Sequence, residues 1–208
     1  MNILIADDHS IVRKGLIGLL NDEFPNADIR EATNGAEALE MVRNGNWDLV
    51  ILDISMPGRN GIETLKQLRY EGIKTPILIL SMLLEDVYAI RVLKAGASGY
   101  VNKDSATEEL ITAVHKVLTG KKYVSTSVTD KLTEALTSDE TESGHEQLSD
   151  REIQVLQLIS SGKTVTDIAS ELSLSVNTIS TYSSRLLEKL KLNNNSELTR
   201  YAMDHKLI

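Results

Sequence analysis

In the first half of the chain, apolar residues come in short unbroken runs. Residues Asn2-Ile-Leu-Ile-Ala6, Leu49-Val-Ile-Leu52 and Ile77-Leu-Ile-Leu80 carry almost no polar position. A strand that is apolar on both sides needs cover on both faces, so these runs predict central strands of a parallel sheet. Two weaker runs, 27–31 and 99–101, add a strand each. Between the runs, apolar residues recur at helical spacing, which predicts helices over 10–22, 36–43, 61–70, 86–95 and 107–118. The alternation implies an α/β domain, a five-stranded doubly wound parallel sheet with helices on both faces.

Beyond residue 147 the strand pattern stops and four helical segments follow. Ser149-Asp-Arg-Glu152 has the form of a capping box, and Gly162 ends the helix it opens. A short helix is expected over 166–172, and a longer one over 176–190. The longer helix sets Val176, Ile179, Leu186, Leu187 and Leu190 against a polar stripe of Asn177, Ser180, Thr181, Ser184 and Glu188. A last helix covers 196–205, from Ser196 to His205. The downstream part is therefore all-α.

Composition adds limits. The 208 residues include no cysteine, which excludes disulfide frameworks, thiolate metal sites and cysteine nucleophiles. No apolar run is long enough for a transmembrane helix, and no basic segment precedes the apolar start, so a cytoplasmic protein without membrane association is expected. The formal charge of −8 argues at first against a polyanion partner. Its distribution changes that reading: residues 1–125 carry −3, residues 126–147 carry −5, and residues 148–208 are neutral. The acidic, Ser/Thr-rich stretch reads as a linker, giving domains at 1–122 and 148–208 joined by 123–147.

Chemistry is expected at the carboxyl ends of the strands, where open parallel sheets bind ligands. Those ends carry Asp7 and Asp8, Asp53, Ser81 and Lys103. Adjacent carboxylates repel unless a cation joins them, and an all-oxygen donor set suits Mg²⁺. A carboxylate can also attack phosphorus while cations steady the equatorial oxygens. Asp53 stands alone at a central strand end, which makes it the candidate nucleophile.

These residues resemble the receiver domains of bacterial two-component response regulators, the CheY-like fold. The match runs through Asp7-Asp8-His9, Asp53-Ile-Ser-Met-Pro57 with Gly61, Ser81, and Tyr100 to Lys103. The resemblance implies that a sensor histidine kinase phosphorylates Asp53. It also implies that Asp8, Asp53 and the Ser55 backbone carbonyl hold Mg²⁺, with Asp7 acting through water. Lys103 would pair with the phosphoryl group, and Ser81 and Tyr100 would form the switch pair. One departure is Asp104, where a proline often follows the lysine. His9 is assigned no catalytic role, and His115, His145 and His205 read as separate surface residues.

In the all-α part, two helices joined by the turn Ser173-Leu174-Ser175 form a helix-turn-helix whose second helix can enter the major groove. Leu148-Ser-Asp-Arg-Glu152, Leu156, Gly162, Ile168-Ala169, Leu172, Thr178-Ile179 and Lys189-Leu190 resemble the LuxR-type DNA-binding domain, the NarL/FixJ group when a receiver precedes it. The resemblance implies double-stranded DNA as partner. Its contacts would come from Asn177, Thr178, Ser180, Thr181 and Ser184, with Arg185, Lys189 and Lys191 on phosphates. It further implies a homodimer on DNA through the helix Ser196 to His205, and RNA polymerase as a further partner. Tyr182, Ser180 and Ser184 depart from the family by lacking positive charge. Zero net charge predicts weak non-specific binding by one copy. Two other readings stay open: an aspartyl-nucleophile phosphatase, which would want a second acid where Ser55 stands, and a pure protein-interaction module.

Overall fold

The computed structural model of the protein describes residues 1–126, 128–129 and 144–208, and the chain divides into two units, Met1–Leu136 and Thr137–Ile208. Most of the expected linker, residues 130–143, lies outside the described residues.

In the first unit the strands are β1 (Asn2–Ala6), β2 (Asp28–Ala32), β3 (Leu49–Asp53), β4 (Ile77–Ser81) and β5 (Gly99–Asn102). They form one parallel sheet in the order β2-β1-β3-β4-β5. The helices are α1 (Ser10–Glu23), α2 (Gly35–Asn44), α3 (Gly61–Tyr70), α4 (Glu85–Lys94) and α5 (Ala106–Leu118). Central strands β3 and β4 are buried at every position, as their unbroken apolar runs require, whereas edge strand β2 is mostly exposed. Alternate residues of the strands, among them Ile3, Ile5, Leu49, Ile51, Leu78, Leu80 and Val101, pack with α1 and α5 residues such as Leu16, Leu20, Leu110 and Val114.

Three strands run one residue further than their apolar patterns, because Asp53, Ser81 and Asn102 still pair in the ladder. The second strand is shifted one residue later than expected, to Asp28–Ala32. Trp47 closes the end of α2, its indole N–H donating to the Met41 carbonyl at 2.8 Å.

The second unit holds α6 (Asp150–Ser160), α7 (Val165–Glu171), α8 (Val176–Leu190) and α9 (Asn195–Asp204), preceded by a 3₁₀ turn at Gly144–Gln147. Each helix starts on a side-chain cap: Ser149, Thr164, Ser175 and Asn194 accept from the amides of Glu152, Asp167, Thr178 and Glu197. Leu148, Ile153, Leu156, Ile168, Ile179, Leu186, Leu198 and Ala202 make the core. Val176, expected on the inner face of α8, is instead 46% exposed. It occupies the first turn, ahead of Ile179, where the buried stripe begins.

Candidate functional site

The strand order reverses direction between β1 and β3, the point at which open α/β sheets form a crevice. Ala6 pairs with Leu52, so Asp7 and Asp53 leave neighbouring strands side by side. On the other side Asp53 pairs with Leu80, and Ser81 with Asn102, which brings Ser81 and Lys103 to the same edge. Register alone thus assembles residues spread over nearly one hundred positions.

Asp7 and Asp53 are each 1% exposed. The Lys103 ammonium reaches both, 2.7 Å from Asp7 Oδ2 and 2.7 Å from Asp53 Oδ2. One ammonium against two buried carboxylates leaves excess negative charge. Burial pushes the Asp53 carboxyl above its ordinary range, with Lys103 opposing and Asp7 adding to the rise. Burial alone would lower Lys103, but the two carboxylates outweigh it and hold the ammonium above its usual range. Beyond this ion pair, Asp7 Oδ2 has no aligned hydrogen-bond donor.

Ligand atoms of Asp7, Asp8, His9 and Asp53 all lie within 4.8 Å of one another, close enough to share one metal ion. The excess charge and the under-satisfied Asp7 oxygen fit a cation at this edge. His9, given no role from sequence, belongs to this group: its Nδ1 is 2.9 Å from Asp8 Oδ1 and 3.2 Å from Asp7 Oδ1. Arg13 was also not singled out. It ties the first loop down, donating to the Asp7 carbonyl at 2.6 Å and to Glu31. Only its position one turn into α1, after the acidic pair, could have signalled this.

The loop after Asp53 is held in place. The Ser55 amide donates to Asp53 Oδ1 at 3.2 Å, and the Gly61 amide donates to the Ile54 carbonyl at 3.0 Å. A Cβ at Gly61 would collide with the Asp53 carbonyl, so glycine permits α3 to start against the end of β3. Leu83 links the two expected switch residues. Its amide donates to Ser81 Oγ at 3.2 Å, and its carbonyl accepts from the Tyr100 hydroxyl at 2.6 Å. Burial pushes the fully enclosed Tyr100 phenol up, which keeps it a neutral donor. No proline follows Lys103; a 3₁₀ turn at Lys103–Ser105 is capped by Asn102 Oδ1, which accepts from the Asp104 amide at 2.9 Å.

In the second unit, α7, the turn with Ser173 at φ 53°, and α8 reproduce the helix-turn-helix connection. Asn177, Ser180, Thr181, Ser184 and Arg185 are exposed on α8, while Thr178 is half-buried and bonded to Ser175. Ser180, Thr181 and Ser184 each donate to the carbonyl four residues earlier, at 3.0, 2.9 and 3.0 Å. Lys189, the expected phosphate contact, is exposed and has a partner within the domain. Its ammonium lies 2.7 Å from Glu152, the buried capping-box carboxylate of α6, and so joins α8 to α6. Burial pushes the Glu152 carboxyl up, but Lys189 and Ser149 outweigh it and hold it below its ordinary range. His145 and His205 are likewise not separate: their rings lie 5.2 Å apart and both meet Tyr201.

Two architectures, a doubly wound receiver-like sheet and a helix-turn-helix unit, therefore stand in one chain. Residues 3–115 match the family model of the response regulator receiver domain, and residues 146–202 match that of bacterial regulatory proteins of the luxR family. The chain is 32% identical over 208 residues to response regulator UvrY of Escherichia coli (strain K12), covering 100% of this chain and 95% of that protein. It is 37% identical over 216 residues to oxygen regulatory protein NreC of Staphylococcus epidermidis, covering 100% of this chain and 99% of that protein. The solved structure of RcsB from Salmonella enterica serovar Typhimurium, bound to promoter rprA with the phosphomimetic BeF3−, aligns with TM-score 0.64 at 28% identity. That alignment covers 97% of this chain and 98% of RcsB. The protein belongs to the NarL/FixJ family of two-component response regulators, which join a receiver domain to a LuxR-type DNA-binding domain. No helix among the described residues is long and apolar enough to cross a membrane.

Proposed function

We propose that Asp53 accepts a phosphoryl group from a sensor histidine kinase and that this acceptance controls operator binding by the second unit. The observation that carries the reading is the buried pair Asp7 and Asp53 sharing the Lys103 ammonium at the carboxyl edge of the sheet. An Asp53 oxygen attacks phosphorus, the phosphorus–nitrogen bond of the donor phosphohistidine breaks, and the imidazole leaves with the bonding electrons. Lys103 then faces a phosphoryl oxygen, and the Ser81 hydroxyl, released from the Leu83 amide, can donate to another. Asp8, Asp53 and the Ser55 carbonyl would hold Mg²⁺, with Asp7 acting through water. Bound there, Mg²⁺ supplies the positive charge that lets a phosphate anion approach a carboxylate.

On this reading the chain is a phosphoacceptor rather than a turnover enzyme, since Ser55 stands where an aspartyl phosphatase would place its second acid. The receiver is the region 1–122, with 123–147 as linker and 148–208 as DNA-binding domain. Operator DNA is read by Asn177, Ser180, Thr181 and Ser184 in the major groove, with Arg185 and Lys191 on phosphates. Lys189 is omitted because it is paired within the domain. A neutral domain needs a second copy for useful affinity, and Met203, 61% exposed on α9, offers apolar surface for a homodimer. Control of transcription by such a dimer brings RNA polymerase within its reach in the cytoplasm.

Incubation with acetyl phosphate tests the reading. Wild type should take up one acid-stable, hydroxylamine-labile phosphoryl group only when Mg²⁺ is present, and Asp53→Asn should take up none. Labelling of Asp53→Asn at the wild-type level would overturn it.

A further inference from the structure

The chain stays attached to the sheet of the first unit beyond α5. After α5 ends at Leu118, Gly120 turns the backbone with φ 78°, and Tyr123 then returns to the sheet as a parallel partner of Gly99. The Tyr123 amide donates to the Ser98 carbonyl at 2.9 Å, and the Tyr100 amide donates to the Tyr123 carbonyl at 3.1 Å. These bonds use the outer edge of β5, where donors and acceptors would otherwise lack partners.

The side chain secures the same point. The Tyr123 hydroxyl donates to Glu109 Oε2 at 2.8 Å, Lys116 Nζ lies 5.2 Å from the ring centre, and the ring joins the core beside α5. Gly99 makes the approach possible: a Cβ there would sit 2.6 Å from the Tyr123 carbonyl oxygen and 3.0 Å from the Tyr123 Cβ.

Tyr100 thus has two connections. Its hydroxyl holds the Leu83 carbonyl, in the loop whose amide holds Ser81 at the acidic edge. Its backbone amide holds Tyr123, the point at which the chain beyond α5 crosses the edge of the sheet on its way to the second unit. The acidic edge and the departing chain therefore share one residue.

We infer that Tyr123 is a positioning residue for the response to phosphorylation: its bridge to β5 makes the departing chain follow Tyr100 when the Ser81 to Leu83 loop rearranges. This rests on the phosphorylation reading given above. A chain anchored at Tyr123 passes a shift of β5 onward. Freed back to Leu118, it gains five residues of slack, which as flexible chain span about 12 Å and absorb that shift.

The test uses the full chain and a DNA duplex recovered by selection from random sequence. Its affinity is measured with and without acetyl phosphate and Mg²⁺ for wild type, Tyr123→Ala, Gly99→Ala and Tyr123→Phe. Phosphoryl uptake is followed by mass, and amide exchange is followed at Tyr100. Allosteric gains are commonly about 5–150-fold. The wild-type gain should fall toward unity in Tyr123→Ala and Gly99→Ala, which open the bridge from opposite sides, while phosphoryl uptake stays normal. Tyr123→Phe keeps ring and bridge and should keep the gain. Normal uptake with the full gain in a variant whose Tyr100 amide exchanges fast would overturn the inference alone. Absence of uptake in wild type would overturn both it and the reading beneath it.

Discussion

The Lys103 ammonium lies 2.7 Å from Asp53 Oδ2, and it is shared, since Asp7 Oδ2 is also 2.7 Å away. This sharing gives the acidic edge its appetite for a cation. It also makes Lys103 the residue whose loss the first unit should feel most. Removing one member of a buried ion pair costs about 3–5 kcal/mol, because the charges left behind have neither water nor partner.

Lys103→Met should therefore lower the melting temperature of the first unit in Mg²⁺-free buffer. The loss should depend on pH in a defined direction. Without the ammonium, the buried Asp53 carboxyl, already raised by burial, rises further in the folded state, so the native variant holds a proton that the unfolded chain releases. Its deficit against wild type should shrink as pH falls from 7 toward the ordinary carboxylate range of about 4. Thermal melts at neutral and mildly acidic pH read this directly, and a deficit independent of pH would contradict it.

Gly61→Ala should disturb the site without touching a charged group. The added methyl meets the Asp53 carbonyl and the Ile54 backbone, neither of which can rotate aside. Overpacking of this kind costs about 1–3 kcal/mol. Chemical denaturation should show that loss, together with slower phosphoryl uptake from acetyl phosphate as the Asp53 backbone is displaced.

In the second unit, the Glu152 to Lys189 pair should make helix packing acid-sensitive. Glu152 is held below its ordinary range in the folded state, so its contribution is present above the unfolded carboxyl value of about 4.3. It is lost as pH falls through the lower folded value. Glu152→Gln removes that titration. The melting temperature of the second unit in wild type should drop more steeply below pH 5 than in the variant, and parallel curves would count against the pair.

The exposed hydroxyls of α8 should carry specificity rather than bulk affinity. Thr181→Ala combined with Ser184→Ala should weaken binding to the selected operator more than to random DNA. Loss of a good base contact costs about 1–3 kcal/mol, while the phosphate contacts that hold random DNA are untouched. Anisotropy titrations at one salt concentration would check this, and equal losses on both duplexes would assign these hydroxyls to the backbone.

Strands β1, β3 and β4 were legible because burial on both faces forces apolar residues at every position. The helix caps at Ser149 and Ser175 were legible because a hydroxyl before an apolar-periodic run has a specific amide to satisfy. The acidic edge followed from reading one or two residues past the expected strand ends. Contacts that depend on a single distant partner were not legible. The Lys189 pairing with Glu152, the meeting of His145 with His205, the Arg13 bond to the Asp7 carbonyl and the return of Tyr123 to Gly99 leave no periodic trace. The Lys189 ion pair in particular was hidden, because a cation trailing a polar stripe has the same pattern whether or not it also meets a buried carboxylate.

The central claim is that phosphorylation of Asp53 governs operator binding. Its most direct measurement is the affinity of the selected operator for full-length wild type and Asp53→Asn, each with and without acetyl phosphate and Mg²⁺. The phosphodonor should change the affinity of wild type and leave that of Asp53→Asn where it was. An equal change in both proteins, or none in wild type after full phosphoryl uptake, would contradict the account.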